Sequence, residues 1–217
     1  MNTEQRAHNM NVLAIGAHYD DIELGCSGSL IKHVQNNDNV TLFVITDSAY
    51  SSPLNEPIRG KSIAQKEGET AASIIGAELV NFNLKVFHVY FDEGLTSGIL
   101  KQIERLDIDT IYAPWVNDVH RDHRNAGKAA LMAGKHIPRY LMYQSNWYNS
   151  ESVFQKHFFS DISSVFHRKL DAIKAHTSEI ERTENKWLEY VESKNRLDGL
   201  TIGVEYAESF EVVRYLL

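Results

Sequence analysis

Two short polar clusters, His18-Tyr19-Asp20-Asp21 and His120-Arg121-Asp122-His123, stand far apart in the chain and together hold a ligand set and a spare base for a catalytic metal. A catalytic zinc usually takes three protein ligands from His, Asp, Glu or Cys and leaves one position to water. His18, Asp21 and His123 meet that requirement. Asp20 and Asp21 are neighbours, so once the chain leaves an extended strand they need not point the same way: one can bind metal while the other stays free as a general base. His120 and His123 are three apart and share a face at a helix start, so one can ligate while the other addresses an oxygen of the substrate. The chemistry implied is metal-dependent hydrolysis. Either cluster alone is ordinary content of a solvated loop or a helix cap; the case rests on both mixing His with Asp and both following apolar runs.

Those runs are Val12-Leu13-Ala14-Ile15-Gly16-Ala17 and Ile111-Tyr112-Ala113-Pro114-Trp115, and each reads as a buried strand. In an open parallel sheet, ligands collect at the carboxyl ends of the strands, so both clusters can face one cavity. The patterning predicts strands over 11–17, 40–46, 78–83, 110–115 and 139–145, and helices near 27–37, 61–75, 95–106, 123–136 and 164–193. Glu23 to Gly28 reads as a tight loop of small residues, and Pro138 as the end of the fourth helix. Such alternation implies βαβ units: one Rossmann-like α/β domain over 1–217, its mainly parallel sheet covered by helices on both faces. The aromatic segment 147–163 reads as a lid, an edge strand or a contact between copies in a homo-oligomer.

The stretch Ala17-His18-Tyr19-Asp20-Asp21-Ile22-Glu23-Leu24-Gly25-Cys26 resembles the Ala-His-Pro-Asp-Asp-x-Glu-Leu-Gly-Cys signature of the LmbE-like (glucosaminyl) N-deacetylases. His120-Arg121-Asp122-His123-Arg124-Asn125-Ala126-Gly127 is similar to that family's His-Pro-Asp-His-Arg-x-Ala-Gly, and Thr46-Asp47-Ser48 to its Thr-Asp-Gly. Ala175-His176-Thr177-Ser178 and Gly203-Val204-Glu205-Tyr206-Ala207-Glu208-Ser209-Phe210 resemble two further elements, so the likeness spans nearly the whole chain. The resemblance implies a zinc-dependent hydrolase that removes the N-acetyl group from an amino sugar or an N-acetylglucosamine-containing small molecule. By it, His18, Asp21 and His123 are the metal ligands, Asp20 is the general base, and His120 steadies the oxyanion or protonates the leaving amine. A set of two histidines and one aspartate suits ferrous iron as well as zinc. A His120 working in its protonated form would make activity fall as pH rises through its pKa.

Three departures are visible. Tyr19 and Arg121 stand where the family has prolines, and Ser27 where it has glycine; Tyr19 and Arg121 are expected near the mouth of the site. His176 is expected to line the cavity, and Arg59 and Arg124 to anchor an anionic group of the substrate, since guanidinium binds phosphate or carboxylate bidentately. His8, His33, His88, His136, His157 and His167 lie outside any spaced cluster and read as surface or packing residues.

Composition agrees with a compact enzyme of small molecules. At 217 residues and 43% hydrophobic content the chain suits one sizeable core. A formal net charge of -7 without a basic stripe argues against nucleic acid and anionic membranes. The single cysteine, Cys26, forbids an internal disulfide and reads as a packing residue. The polar start Met1-Asn2-Thr3-Glu4-Gln5 has no apolar core for secretion, and no run is long enough to span a membrane, so a cytoplasmic protein is expected. Two other functions fit less well: an amidohydrolase acting on another small amide, such as the N-acyl group of a glycosylated natural product, and a nucleotide-binding module without catalysis, with Asp47 as a ribose contact. Against the module, the first turn after a strand carries charge rather than Gly-x-Gly-x-x-Gly.

Overall fold

The computed structural model describes residues 9–217; His8 and the start Met1 to Gln5 lie outside the described residues. In chain order the elements are β1 (Asn11–Gly16), α1 (Asp21–Gln35), β2 (Asn39–Thr46), β3 (Tyr50–Ser51), β4 (Pro57–Arg59), α2 (Lys61–Ile75), β5 (Glu78–Leu84), α3 (Glu93–Arg105), β6 (Thr110–Pro114), α4 (Arg121–Ala133), β7 (Arg139–Tyr143), β8 (Phe158–Asp161), a 3-10 turn at Ser163–Val165, α5 (Phe166–Lys174), α6 (Thr177–Arg182), α7 (Lys186–Ile202) and β9 (Ala207–Tyr215). Seven strands form one sheet in the order β5-β2-β1-β6-β7-β9-β8. The first five run parallel, whereas β9 pairs antiparallel with both β7 and β8. The α/β architecture expected from the alternation of runs is therefore present, with a mixed edge added.

Alternation along the strands builds two apolar layers, as period-two side chains must. Leu13, Ile15, Phe43, Ile111 and Trp115 pack on one face with α3 and α4, and Val12, Ala14, Leu42, Tyr112 and Leu141 on the other with α1, α2 and α5. Both faces being covered, the central strands are continuously apolar.

Several boundaries differ from expectation. Helix α1 starts at Asp21 rather than 27, so Glu23 to Gly28 form helical turns and not a loop. Their small size serves close packing: a Cβ at Gly25 would meet the Tyr143 ring at 2.0 Å, and the Tyr143 hydroxyl donates to the Ile15 carbonyl at 2.6 Å. Helix α4 ends at Ala133, and Pro138 lies in the link to β7. The long helix expected over 164–193 is broken at His176 (ψ 60°) and at Glu184 and Asn185, whose φ values of 51° and 65° are left-handed and incompatible with continuing the helix. Part of the aromatic segment is indeed an edge strand, β8, held by β9.

A buried carboxylate also meets helix α1 from outside. The Gly28 and Ser29 backbone N–H groups donate to the Glu208 carboxylate at 2.9 and 2.8 Å, and the Ser29 hydroxyl adds a third bond at 2.6 Å. Lys169 reaches in from α5, donating to Glu208 at 2.6 Å and to the Leu24 carbonyl at 3.1 Å. Both charged residues are 0% exposed. One buried ion pair is thus bonded to the backbone of a helix that runs unbroken from Asp21 to Gln35. Glu208 is accordingly structural, and Cys26 is a buried free thiol whose pKa is pushed well up by burial.

Candidate active site

Strands β1 and β6 are direct neighbours, with Val12 opposite Thr110 and Ala14 opposite Tyr112, so the two polar clusters emerge side by side where these strands end. His18 Nδ1 and His123 Nε2 are 3.1 Å apart, His123 Nε2 and Asp21 Oδ1 3.0 Å, and His18 Nδ1 and Asp21 Oδ2 3.5 Å. Two ligands about 2.1 Å from a tetrahedral ion stand roughly 3.4 Å apart, so the donor atoms already have the spacing of a metal's coordination shell. Each imidazole is oriented from behind by a carboxylate. His18 Nε2 meets Asp122 Oδ2 at 3.3 Å, and His123 Nδ1 meets Asp118 Oδ2 at 3.3 Å. Carboxylate-oriented histidines are the usual backing of metal ligands. Ser145 donates to Asp21 Oδ1 and the His18 backbone N–H to Asp21 Oδ2.

The electrostatics fit a cation in the same place. Burial lowers the His18 pKa, but its bonds to Asp122 and Asp21 outweigh that and raise it to about 9; His123, likewise buried, is raised to about 10 by Asp21 and Asp118. Burial would raise the Asp21 pKa, yet the two imidazoles hold it well below the usual carboxylate range. These carboxylates therefore demand positive charge at one point, and a divalent ion there meets the demand with both imidazoles neutral.

Asp20 also faces this cavity, with Arg59 Nη1 on its Oδ2 at 3.0 Å. Arg59 is only 3% exposed, its Nη2 bonding Glu67 at 2.8 Å and meeting His176 Nδ1 at 3.2 Å while its buried Nε has no partner. Glu67 in turn accepts from Thr177 and Ser178. Arg59 therefore pins the candidate base and is not an anchor for a substrate anion. His176, 0% exposed, backs Arg59 and faces Glu23 at 3.6 Å rather than lining the cavity. Arg124 donates to the Asp118 and Val119 carbonyls, tying the loop before α4 and not reaching the cavity. Tyr19 is 3% exposed and points away from the mouth, its hydroxyl accepting from Asn81 at 2.9 Å and its ring lying where a Cβ on Gly68 would be. Arg121, expected near the mouth, is half-exposed, donates to the Phe87 carbonyl and does not line the cavity. Ser48, in the position of the family's glycine, adopts φ 52° and accepts the Tyr19 N–H. Asp47 accepts the Ala49 N–H within its own turn and does not line the cavity, which leaves the ribose-contact reading without a ligand group.

His120 caps α4, its Nδ1 accepting the Asp122 N–H at 3.2 Å. A nitrogen that accepts carries no proton, so the ring proton sits on Nε2. Burial, with the positive charge on His123 and His18, lowers its pKa to about 4. With that pKa, His120 near neutrality is an uncharged N–H donor, which favours the oxyanion role over proton donation to the leaving amine. His120→Ala is expected to retain metal and lose about 10²–10³-fold in kcat, as on removing one oxyanion donor. Because the pKa lies near 4, the group loses its proton far below the working range, so the variant's rate profile between pH 6 and 8 should keep the wild-type shape. A descending limb in that range that disappears in His120→Ala would restore the cationic role.

Sequence reasoning missed Asp118, Ser145 and Asn146. The first was readable, since a ligating histidine needs a partner on its second nitrogen, whereas no spacing marks the other two. Tyr50, Glu179 and Arg182 complete the far wall: the Tyr50 hydroxyl donates to Glu179 Oε1 at 2.6 Å, and Arg182 Nε to Glu179 Oε2 at 2.8 Å.

Among the described residues no helix is long and apolar enough to cross a membrane. A family model described as PIG-L: GlcNAc-PI de-N-acetylase matches residues 13–133, which include both clusters. The uncharacterized deacetylase YaiS of Escherichia coli (strain K12) is 29% identical over 177 residues, covering 77% of this chain and 90% of the relative. The diacetylchitobiose deacetylase of Thermococcus kodakarensis is 26% identical over 223 residues, covering 93% and 82%. Among solved structures, the N,N'-diacetylchitobiose deacetylase from Pyrococcus horikoshii superposes with a TM-score of 0.81 over 94% of this chain and 83% of its own; at 21% identity this likeness speaks to fold alone.

Proposed function

Since the chain belongs to the PIG-L, or LmbE-like, de-N-acetylase family, we propose that it is a metal-dependent hydrolase that removes the acetyl group from an N-acetylated amino sugar or glycosylated small molecule. The observation that carries this reading is the convergence of His18, Asp21 and His123 donor atoms within 3.5 Å of one another, beside Asp20, in a cavity of about 240 Å³. His18, Asp21 and His123 would hold a divalent ion, and their donor types suit zinc, with ferrous iron the other fit. Such an ion, when bound, supplies Lewis-acid activation of a water and of the amide carbonyl.

The chain's own residues supply the rest. Asp20, fixed by Arg59, takes a proton from the attacking water and returns it to the amine as the C–N bond breaks. His120 Nε2–H donates to the carbonyl oxygen as negative charge builds there. Asp118 and Asp122 keep the two ligating imidazoles in one tautomer and orientation.

Two measurements test this together. Elemental analysis of carefully prepared protein should find about one divalent ion per chain, bound far more tightly than by His123→Ala, and chelation should abolish release of free amine from a panel of N-acetyl sugars. Substoichiometric metal, with added zinc or iron binding wild type and His123→Ala alike, would refute the ligand assignment. Metal without amine release would refute the substrate class.

A further inference from the structure

The Asp20 carboxylate is held through one oxygen. Arg59 Nη1 donates to its Oδ2 at 3.0 Å, and nothing among the described residues bonds its Oδ1. A guanidinium facing a carboxylate frequently grips it with two parallel bonds. Here the second arm is drawn away: Arg59 Nη2 donates to Glu67 Oε2 at 2.8 Å and to His176 Nδ1 at 3.2 Å. Because a guanidinium only donates, His176 Nδ1 is the acceptor and the ring proton sits on Nε2, facing Glu23 Oε1 at 3.6 Å. Glu67 is fixed from its other side. Its Oε1 accepts the Thr177 hydroxyl at 2.9 Å and the Ser178 N–H at 2.7 Å, and its Oε2 accepts the Ser178 hydroxyl at 2.8 Å. Burial raises the Glu67 pKa, but the bonds from Ser178, Arg59 and Thr177 outweigh that and hold it below the usual carboxylate range, so it is an anion at neutral pH. Its helix is seated against the base as well: a Cβ on Gly68 would meet the ring of Tyr19, the neighbour of Asp20, at 2.2 Å.

We propose that Glu67 is a positioning residue for the reaction. By competing for one arm of Arg59 it prevents a two-bond grip on Asp20, so the guanidinium fixes the carboxylate through Oδ2 and leaves Oδ1 to take the proton of the attacking water. The motif Ala175-His176-Thr177-Ser178, whose part the metal ligands do not explain, is the socket of this device: His176 holds the arm of Arg59, and Thr177 and Ser178 hold Glu67. Stability alone does not call for such a division of one guanidinium, since well-packed apolar residues often serve a fold as well as a buried ion pair does. Without Glu67 the freed arm closes on Asp20, and both oxygens of the base are then spent on Arg59. The assignment rests on the deacetylation reading for the identity of the base, and on the bonds of Arg59 for the part of Glu67.

The experiment measures kcat, KM and metal content for metal-loaded wild type, Glu67→Gln, Ser178→Ala, Asp20→Asn, and Asp20→Asn combined with each of the other two, on an N-acetyl sugar that wild type hydrolyses. Glu67→Gln should lower kcat by about 10–10²-fold, part of the roughly 10²–10⁴-fold contribution of a general base. Glu67 does not line the cavity, so KM should stay within about twofold and metal content should not change. Ser178→Ala, the milder change, removes one bond from Glu67 and should lower kcat by about threefold. In the Asp20→Asn background either change should cost less than about twofold more, because a residue that acts through the base has no effect once the base is gone. An unchanged kcat in Glu67→Gln, the same loss with and without Asp20, or a loss that falls on KM or metal content instead would overturn the assignment. Should Glu67→Gln fail to fold, Ser178→Ala in the two backgrounds gives the same contrast. If wild type releases amine from no N-acetyl sugar, the deacetylation reading is what fails, and melting temperatures then decide the hold of Glu67 on Arg59 and Asp20. A loss in the double variant at least about 2 °C short of the sum of the single losses supports it, and additive losses sink it.

Discussion

Replacing Asp20 with asparagine is expected to lower kcat by about 10²–10⁴-fold, the usual contribution of a general base, while the protein keeps its metal. The geometry explains the separation. Arg59 holds Asp20 through Oδ2, and the amide oxygen of asparagine can accept the same bond, so the side chain stays in place without a group that takes a proton. Asp21→Asn should behave in the opposite way. Asp21 uses both oxygens, accepting the His18 N–H on one and the Ser145 hydroxyl on the other, and both lie within 3.5 Å of the histidine nitrogens. An amide there lacks the negative charge and one acceptor, so metal affinity falls first and rate follows. Metal content and single-turnover rates on both variants check this; loss of metal from Asp20→Asn with retention in Asp21→Asn would exchange the two roles.

The second large effect concerns stability. Glu208→Ala leaves the fully buried Lys169 ammonium without its counter-charge and removes the carboxylate's bonds to the Gly28 and Ser29 N–H groups. Breaking one partner of a buried pair costs about 3–5 kcal/mol. At roughly 2–4 °C of melting temperature per kcal/mol for a chain of this size, a fall of about 6–20 °C is expected. Lys169→Met in the same background removes the orphaned charge and should recover part of it. Calorimetric melting decides the matter: a drop under about 3 °C in Glu208→Ala would mean that the carboxylate does not hold the buried lysine in place.

The parallel half of the sheet was legible because its strands are apolar runs with no competing period, and their expected limits fall within two residues of those observed. The candidate metal ligands were legible for a related reason: His18, Asp21 and His123 sit directly after two such runs, and the sheet order makes those strands neighbours. Errors clustered where a side chain's job depends on distant partners. Arg59, Arg124 and His176 read as substrate contacts because guanidinium and imidazole are common ligand groups, yet Arg59 is bonded to Asp20, Arg124 to the Asp118 carbonyl, and His176 lies buried against Arg59. The small residues Gly25, Ser27 and Gly28 looked like a loop because propensity takes no account of the Tyr143 ring or the Glu208 carboxylate that require them. Strand β9 escaped notice because its buried first half and half-exposed second half follow no clean alternation.

The contact of Glu208 with α1 joins residues 180 positions apart. A ribosome makes α1 among the first elements and Glu208 among the last, and β9, which carries it, must also reach the sheet before β8 has a neighbour. The helix that bears Asp21 therefore waits for its buried partner for almost the whole of translation. Closure of the two ends of the chain on one another is slow, being dominated by long-range contacts, and it makes the C-terminal strand the step at which a nascent chain becomes a finished protein: a chain cut before residue 208 has every candidate ligand and base in its sequence, but not the carboxylate that pairs with Lys169 against the helix beneath them.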